Sequence, residues 1–496
     1  MKIIQLPFAP LLLISAIPYL QYYGVYSIYE AHRAALFFAI ATFCIMAFLT
    51  KVLNSWQKSG VIVIILSSII LITYREVTYP IIIFLFLVLS TILERRFAYT
   101  KIIVFSNVLS LVFLIGTLYP LFSNIYASRH FVKTTTKPLE LIDLASTPSI
   151  MHIALDGYGS SEVLSNIYKH NNVGFQSALE ELGFQVMPKV ITPYNQTLFV
   201  MSSIMSGGYI NTPSGTDNVE AYRLDLGHTA TKGPVQQIFR NEGYNFSYSK
   251  SGYAYLDYDA AELVTPSPIG LTGFEANLLS SFPELSAKNH NQILKAALSS
   301  EIFSMLRPPF FYYQHLMAPH PPFTLTAKGL ERPTQSVFLF DGSHVIKRSP
   351  ERRDRYIKGY KEKAEFVEDA LLKQMKSIPK NDPIIVIIHG DHGPGAHFDQ
   401  ESSANSCTAE RMTTFFAIYS NVPVVREAFA KHKNTEFNLV NIYRIIFSSL
   451  SKHDFAPLQS KATFLRWSDP SDAVKISKGS FLDSCLTKYP PLELTP

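Results

Sequence analysis

The sequence predicts an N-terminal multi-span α-helical membrane domain, followed by one large α/β domain whose central sheet is mostly parallel. Of the 496 residues, 47% are hydrophobic and only 17% are charged, against about 25% charged residues in ordinary soluble proteins. Long apolar runs fill the first quarter of the chain, and after them short apolar runs alternate with helical patterns. The first pattern is typical of membrane helices, and the second is typical of strands joined by helices.

Five apolar runs make up the predicted membrane domain, at 6–28, 34–50, 60–74, 78–93 and 102–124. Each approaches the ~17–25 residues that cross a bilayer core, and five in succession indicate a multi-pass anchor rather than one cleaved signal peptide. If the N-terminus lies in the cytoplasm, six basic residues flank the cytoplasmic ends of these runs and two flank the opposite ends. By the positive-inside rule, the chain after residue 128 then lies outside the cell.

Charge is divided unevenly along the chain. Residues 1–128 carry eight basic and three acidic residues, and the remaining 36 basic and 36 acidic residues balance. The sequence pI of about 8.8 is therefore a property of the membrane domain, and this distribution argues against a nucleic-acid-binding protein.

Three segments follow from these patterns: a transmembrane domain over 1–128, a juxtamembrane stretch over 129–147 that is a linker or an interfacial helix, and an α/β domain over 148–496. A helical stripe from Tyr356 to Met375 predicts a helix packed on the sheet. Cys407 and Cys485 both fall in the exported part, where a disulfide between them is allowed but not required. The predicted strands are Ile150–Leu155, Phe184–Val190, Phe310–His315, Ile384–Ile388 and Thr414–Tyr419.

Aspartate and histidine residues follow three of these strands. Asp156 follows the first, His315 and His320 lie at and after the third, and Asp391 and His392 follow the fourth. Ligands bind beyond the carboxyl ends of the strands in open α/β sheets, so these residues are expected at one edge. Two carboxylates with imidazoles there predict a site for a divalent cation, Mn²⁺, Mg²⁺ or Zn²⁺.

Thr197 is the candidate nucleophile for such a site. Pro193 and Asn195 mark a turn, and apolar residues at helical spacing follow Thr197, which places its hydroxyl near a helix N-terminus. A hydroxyl bound to a divalent cation loses its proton far more easily than a free one. Two other interpretations stay open: a plain helix cap at Thr197, and a glycosylation acceptor at Asn195–Gln196–Thr197.

Taken together, the motifs resemble the alkaline phosphatase superfamily, in its sulfatase-like membrane transferase branch. That branch includes lipoteichoic acid synthase and the lipid A phosphoethanolamine transferases. The matching stretches, in order along the chain, are 153–159, 195–197, 202–206, 315–323, 391–393 and 441–444.

The resemblance implies an alkaline-phosphatase-like (sulfatase-like) fold for the α/β domain. It implies one divalent metal ion, Mn, Zn or Mg rather than Ca, with a second ion left open. Thr197 would also be the nucleophile, His320 would act at the transferred group, and His397 and Asn195 would contact substrate. The implied metal ligands are Asp156, Thr197, Asp391 and His392.

The implied function is transfer of a phosphoethanolamine or phosphoglycerol group from a phospholipid donor to an envelope glycan or lipid acceptor, through a phosphothreonine. The implied location is the bacterial cytoplasmic (inner) membrane, multi-pass, with a periplasmic or extracellular catalytic domain. The sequence lacks the CxPxR setting of sulfatases, which favours phosphoryl transfer over sulfate ester hydrolysis. Two alternatives remain: a phosphodiesterase, phosphatase or other hydrolase of the same superfamily, and an inactive envelope-assembly homologue.

Overall fold

The computed structural model divides the chain into two compact units, Met1–Ser128 and Arg129–Pro496. In the first unit it describes residues 9–20, 28–64 without Gln57 and Val61, and most of 103–115. In the second it describes 132–213, 219–257, 261, 263–265, 275, 283–332 and 349–476.

The first unit begins with helices α1 (Ala9–Leu20) and α2 (Ile28–Leu53). Within α2, Ala31–Leu53 has a mean hydropathy of 2.2 and is long enough to cross a membrane. Its Phe37 and Phe48 side chains are each 67% exposed, which suits a helix surrounded by lipid rather than by protein. Among the described residues this is the one candidate span.

The other predicted spans are tested only in part. Helix α1 has 12 residues and covers the middle of the run 6–28, and the described residues of 103–115 are helical. The runs 60–74 and 78–93 lie wholly or mostly outside the described residues. A five-span anchor therefore stays a prediction.

The second unit contains a seven-stranded sheet in the order β2-β9-β7-β1-β6-β4-β5. The five strands from β7 to β5 run parallel to their neighbours, whereas β9 runs antiparallel to both β7 and β2. The predicted α/β domain is thus confirmed, and its sheet is mixed. The strands of this sheet are β1 (Ser149–Leu155), β2 (Gln185–Val186), β4 (Asn245–Ser249), β5 (Leu263–Thr265), β6 (Phe310–Leu316), β7 (Ile384–Gly390) and β9 (Phe416–Ser420).

Two smaller sheets complete the strands of the described residues. One has the order β10-β3-β8, and the other pairs β11 with β12. Their strands are β3 (Val190–Ile191), β8 (Thr413–Thr414), β10 (Phe437–Asn438), β11 (Ala462–Leu465) and β12 (Ala473–Ile476). Two of the predicted strands are therefore divided between sheets: Phe184–Val190 into β2 and β3, and Thr414–Tyr419 into β8 and β9.

Helices cover both faces of the large sheet, so that every residue of β1, β6 and β7 is buried, as parallel strands between two helical layers are. Alternate residues of β1 contribute to two separate apolar clusters, one on each face. The helices are α3 (Ser161–Asn166), α4 (Val173–Glu181), α5 (Thr197–Ser206), α6 (Val219–Lys232), α7 (Pro234–Asn241), α8 (Pro283–Ala297), α9 (Ile302–Met305), α10 (Pro350–Met375), α11 (Thr408–Met412), α12 (Pro423–Ala430) and α13 (Ile442–Leu450).

The juxtamembrane stretch has no helix over 132–147, its described part. It belongs to the second unit, in which Leu139 and Ile142 are buried in an apolar cluster. No interfacial helix is therefore present over 132–147, and the linker assignment stays a prediction. Cys407 is disulfide-bonded and Cys44 is free, and Cys485 lies outside the described residues.

Candidate active site

Strand register brings the three polar strand ends to one level. Leu155, the last residue of β1, lies opposite Leu316 of β6 and Gly390 of β7. Asp156 and Asp391 therefore follow their strands at the same edge of the sheet. With His315 they form a buried group whose ligand atoms all lie within 4.8 Å of one another.

Thr197 reaches this edge from the first turn of α5. The helix is preceded by Gln196 in the capping position, without a side-chain capping bond. The Thr197 Oγ1 lies 3.1 Å from His392 Nε2. The hydroxyl thus faces the strand-end cluster, and the plain capping interpretation does not describe it.

Asn195 is buried and holds the loop before Thr197 in place. Its amide nitrogen donates to the Leu465 carbonyl at 2.9 Å, and its amide oxygen accepts from the Leu465 N–H at 2.7 Å. A buried amide engaged at both ends does not suit a glycosylation acceptor. Substrate contact by Asn195 stays a prediction, and its observed contacts position the nucleophile loop.

The hydrogen bonds of His392 identify its tautomer. Its Nδ1 lies 2.9 Å from the Gly393 carbonyl oxygen, which can only accept, so Nδ1 carries the hydrogen. The lone pair is then on Nε2, which lies 3.4 Å from Asp391 Oδ2 and 3.7 Å from Asp156 Oδ1. This lone pair faces the two carboxylates, and it also accepts an N–H of Arg411 at 2.9 Å, a bond that a bound metal would replace.

Unsatisfied buried atoms show that the cluster suits a cation. Asp391 Oδ1 accepts N–H bonds from Gly157 at 2.9 Å and His392 at 2.8 Å. Within the described part of the chain, Asp391 Oδ2 and both ring nitrogens of His315 make no hydrogen bond. Buried polar atoms without partners are costly, and a divalent cation would satisfy them.

The electrostatics of the cluster also favour a cation site. Burial and then the Asp156 carboxylate raise the pKa of Asp391 to about 8, because two carboxylates share one dry site. Burial lowers the pKa of His315 to about 3, which keeps the ring neutral, the form that binds metals. The four predicted ligands are brought together, and His315 is a further donor that was not assigned as a ligand from the sequence.

A cavity of about 560 Å³ opens on this cluster, a size that suits a small organic ligand. Asp156, Thr197 and His392 line it together with aromatic and basic side chains. Trp467, which is 41% exposed, also lines it. The remaining lining residues include Asn195, Phe199, Arg223, Tyr253, Tyr255, His320, Phe398 and Arg411.

The two other predicted histidines differ in their relation to the cavity. His320 lines it, and its Nδ1 donates to the Pro321 carbonyl at 2.7 Å, which leaves Nε2 as the nitrogen that can exchange a proton. His397 is not among the described residues that line the cavity. Burial, followed by Arg353, lowers the pKa of His397 to about 3. Its substrate-binding role stays a prediction.

Arg411 is a residue that sequence reasoning missed. Its Nε donates to the Asn195 carbonyl at 3.0 Å, its Nη1 donates to the Gly393 carbonyl at 3.1 Å, and its Nη2 donates to His392 Nε2 at 2.9 Å. One buried guanidinium thus joins the loop before the nucleophile to the loop after β7. No sequence signal marks it, since it lies in a short helix with no recognisable motif.

No family model matches the chain, and no curated protein sequence matches it. Three solved structures to which it is similar are the C-terminal periplasmic domain of EcEptC from Escherichia coli in complex with Zn, the integral membrane lipooligosaccharide phosphoethanolamine transferase A from Neisseria meningitidis, and a 2-O GAG sulfatase. The identity is 12% for each, and the TM-scores are 0.36, 0.37 and 0.38. The matches cover 65%, 81% and 65% of this chain, and 85%, 69% and 78% of the other chains.

These are the kinds of protein that the motifs resemble, phosphoethanolamine transferases and sulfatases. They are what the chain is similar to.

Proposed function

We propose that this protein is a metal-dependent transferase that moves a phosphoryl-linked headgroup from a phospholipid to an envelope glycan or lipid. The transferred group is of the phosphoethanolamine or phosphoglycerol type. One observation carries the proposal: the Thr197 hydroxyl lies 3.1 Å from His392 Nε2 at the edge of a buried Asp156–His315–Asp391 group, inside a cavity. A hydroxyl beside a cation site, in a pocket with an imidazole, is an arrangement for covalent phosphoryl transfer.

The cation would be held by Asp156, Asp391, His392 and Thr197, with His315 as an additional donor. When bound, it would lower the pKa of the threonine hydroxyl and offset charge on the phosphoryl oxygens. Arg411 holds the loops of Thr197 and His392 together, which fixes the geometry of attack.

In the first step the Thr197 Oγ forms a bond to phosphorus, and the bond from phosphorus to the diacylglycerol oxygen breaks. The proton that Thr197 loses is returned to that leaving oxygen, and His320 Nε2 is the imidazole nitrogen in the cavity wall that can carry it. In the second step an acceptor hydroxyl attacks the same phosphorus and the Oγ–P bond breaks, with the proton moving from acceptor to threonine. In each step one P–O bond replaces another and one proton is transferred, so the net charge does not change.

A lipid donor also accounts for the apolar N-terminal unit. Helix α2 contains a 23-residue stretch able to cross a bilayer, and such an anchor holds the catalytic unit at the surface where phospholipid headgroups lie. Donor, acceptor and a periplasmic or extracellular catalytic unit remain parts of the proposal.

The test is intact-mass analysis of the full-length protein after incubation with phosphatidylethanolamine or with phosphatidylglycerol. We expect the mass of the protein to rise by one headgroup phosphate, and peptide mapping should place this increment on the peptide that contains Thr197. Thr197→Ala should show no increment. Adding envelope glycolipid should then remove the increment and label the acceptor. Release of free headgroup phosphate without labelling would identify a hydrolase, and no increment with either lipid would refute the proposed donor.

A further inference from the structure

Helix α10 carries three buried polar side chains on the face that it presents to the candidate active site. Tyr356, Tyr360 and Lys363 are each 0% exposed, and their spacing of four and then three residues places them on one face of the helix. Each one bonds to a different loop among the three that follow β1, β6 and β7. The sequence pattern indicated only a helix packed on the sheet.

The two tyrosines contact the loops that carry the candidate metal ligands. The Tyr360 hydroxyl donates to the Gly157 carbonyl at 2.9 Å and accepts from the Gly159 N–H at 3.3 Å, just after Asp156. The Tyr356 hydroxyl accepts from the Gly395 N–H at 3.2 Å, just after the Asp391–His392 pair.

Lys363 contacts the loop that carries His320. Its Nζ donates to the carbonyls of Met317 at 2.8 Å, His320 at 2.7 Å and Pro322 at 3.1 Å. This loop also contains Pro319 and Pro321, and proline has no N–H to offer. The loop is therefore poor in its own donors, and the amine of Lys363 supplies them.

Lys363 also contacts an imidazole outside this loop. Its Nζ lies 2.9 Å from His290 Nε2, and burial followed by Lys363 lowers the pKa of that imidazole. Burial lowers the pKa of Lys363 to about 7, although the Asp156 carboxylate opposes that shift, so placing an amine here has a desolvation cost that an apolar side chain of similar volume would avoid. An apolar side chain would also remove the donor that the Met317 and His320 carbonyls share, and with it the contact that holds the His320 loop to α10.

We propose that this stripe of α10 positions the three loops of the active site, with Tyr356 and Tyr360 orienting the metal-ligand loops and Lys363 orienting His320. None of the three is a catalytic residue. The assignment of His320 to the chemistry depends on the proposed function, whereas the effect of the tyrosines on metal binding does not.

The test compares Lys363→Met with Tyr360→Phe in the full-length protein. For Lys363→Met we expect kcat for headgroup release from phosphatidylethanolamine to fall ~10–100-fold, as for a displaced catalytic group, with KM and zinc affinity unchanged. Amide hydrogen exchange of a peptide spanning 316–325 should become faster. For Tyr360→Phe we expect zinc affinity, measured with the metal alone, to fall about tenfold or more, with exchange over 316–325 unchanged.

Two matched controls separate these effects from general loosening. Lys361→Met removes an amine that is 41% exposed on the same helix. Tyr244→Phe removes a buried hydroxyl that donates to the Pro148 carbonyl at 2.7 Å, at the end of β1 remote from Asp156. Neither control should change kcat, zinc affinity or exchange over 316–325.

The proposal requires that Lys363→Met and Tyr360→Phe differ in zinc affinity and in hydrogen exchange over 316–325. Equal loss of zinc affinity in both, or exchange over 316–325 no faster in Lys363→Met than in Lys361→Met, would overturn it. If Lys363→Met does not fold, Lys363→Gln retains two donors and should give intermediate exchange; exchange equal to that of the unaltered protein would count against the proposal. If neither phospholipid is turned over, the proposed function fails, and the zinc and exchange measurements still decide this inference.

Discussion

Metal affinity should rise steeply with pH because of Asp391. Burial and the Asp156 carboxylate raise its pKa to about 8, and only the ionised carboxylate binds a cation well. At pH 6, two units lower, about 1% of the metal-free protein has Asp391 ionised. At pH 8 about half of it is ionised, so the affinity for Zn²⁺ or Mn²⁺ should be about 50-fold weaker at pH 6 than at pH 8, a difference of about 2.3 kcal/mol. His315 adds no competing proton in this range, since burial lowers its pKa to about 3.

Isothermal titration of the metal-free protein with ZnCl₂ or MnCl₂, in buffers of different ionisation enthalpy, measures both affinity and protons released. We expect close to one proton released per metal at pH 6, and fewer as the pH approaches 8. Asp391→Asn should remove this proton release and weaken binding further. Asp225→Asn alters a buried carboxylate that accepts the Val132 N–H elsewhere in the unit and should leave both unchanged. Affinity independent of pH between 6 and 8 in the unaltered protein would refute the reasoning.

Three further predictions concern the nucleophile, the missed arginine and the topology. Thr197→Ala should lower turnover by about 10⁴-fold or more, as loss of a nucleophile does, with an unchanged thermal unfolding curve; retained turnover would exclude Thr197 as the nucleophile. Arg411→Met should slow formation of the Thr197 adduct by roughly 10–100-fold because two loops lose their common donor, while the exposed Arg426→Met serves as control; equal rates in both would exclude positioning by Arg411. A reporter active only outside the cytoplasm, fused after residue 130, should give signal, and activity of a cytoplasmic reporter there instead would contradict the topology.

The central strands could be predicted from the sequence because they are continuous apolar runs. The strands β1, β6 and β7 are buried along their whole length, so their composition alone identified them. The strand β4 (NFSYS) alternates polar and apolar residues and β5 has three residues, so neither produced a recognisable run.

The division of the predicted strand Phe184–Val190 has a local cause. Pro188 lies between β2 and β3 and has no N–H for a sheet ladder. The chain therefore leaves the large sheet, in which β2 pairs with β9, and enters the small sheet, in which β3 pairs with β10 and β8. A strand pattern interrupted by proline was a signal that was available in the sequence.

A residue of the candidate site was easier to predict the more directly it follows a strand. Asp156, Asp391 and His392 meet because register puts the ends of β1 and β7 at one level, and parallel strands impose that on any sequence that forms them. Thr197 depended on the resemblance as well, because it arrives on a helix whose place relative to the sheet has no simple rule. Arg411 and Lys363 gave no signal, because an arginine or lysine in a helix is usually a solvated side chain.

The residues that sequence reasoning missed have one role in common: they join segments that are far apart along the chain. The Thr197 hydroxyl and His392 Nε2 meet across 195 positions, and Arg411 bonds to the loops of both. A contact of that kind depends on two loops keeping their distance to within a fraction of an ångström, which strand register alone does not ensure. Loss of Arg411 or Lys363 should therefore affect turnover more than the free energy of unfolding, whereas loss of a buried β1 residue such as Ile153 should do the reverse, since a smaller side chain there leaves a cavity in the apolar cluster.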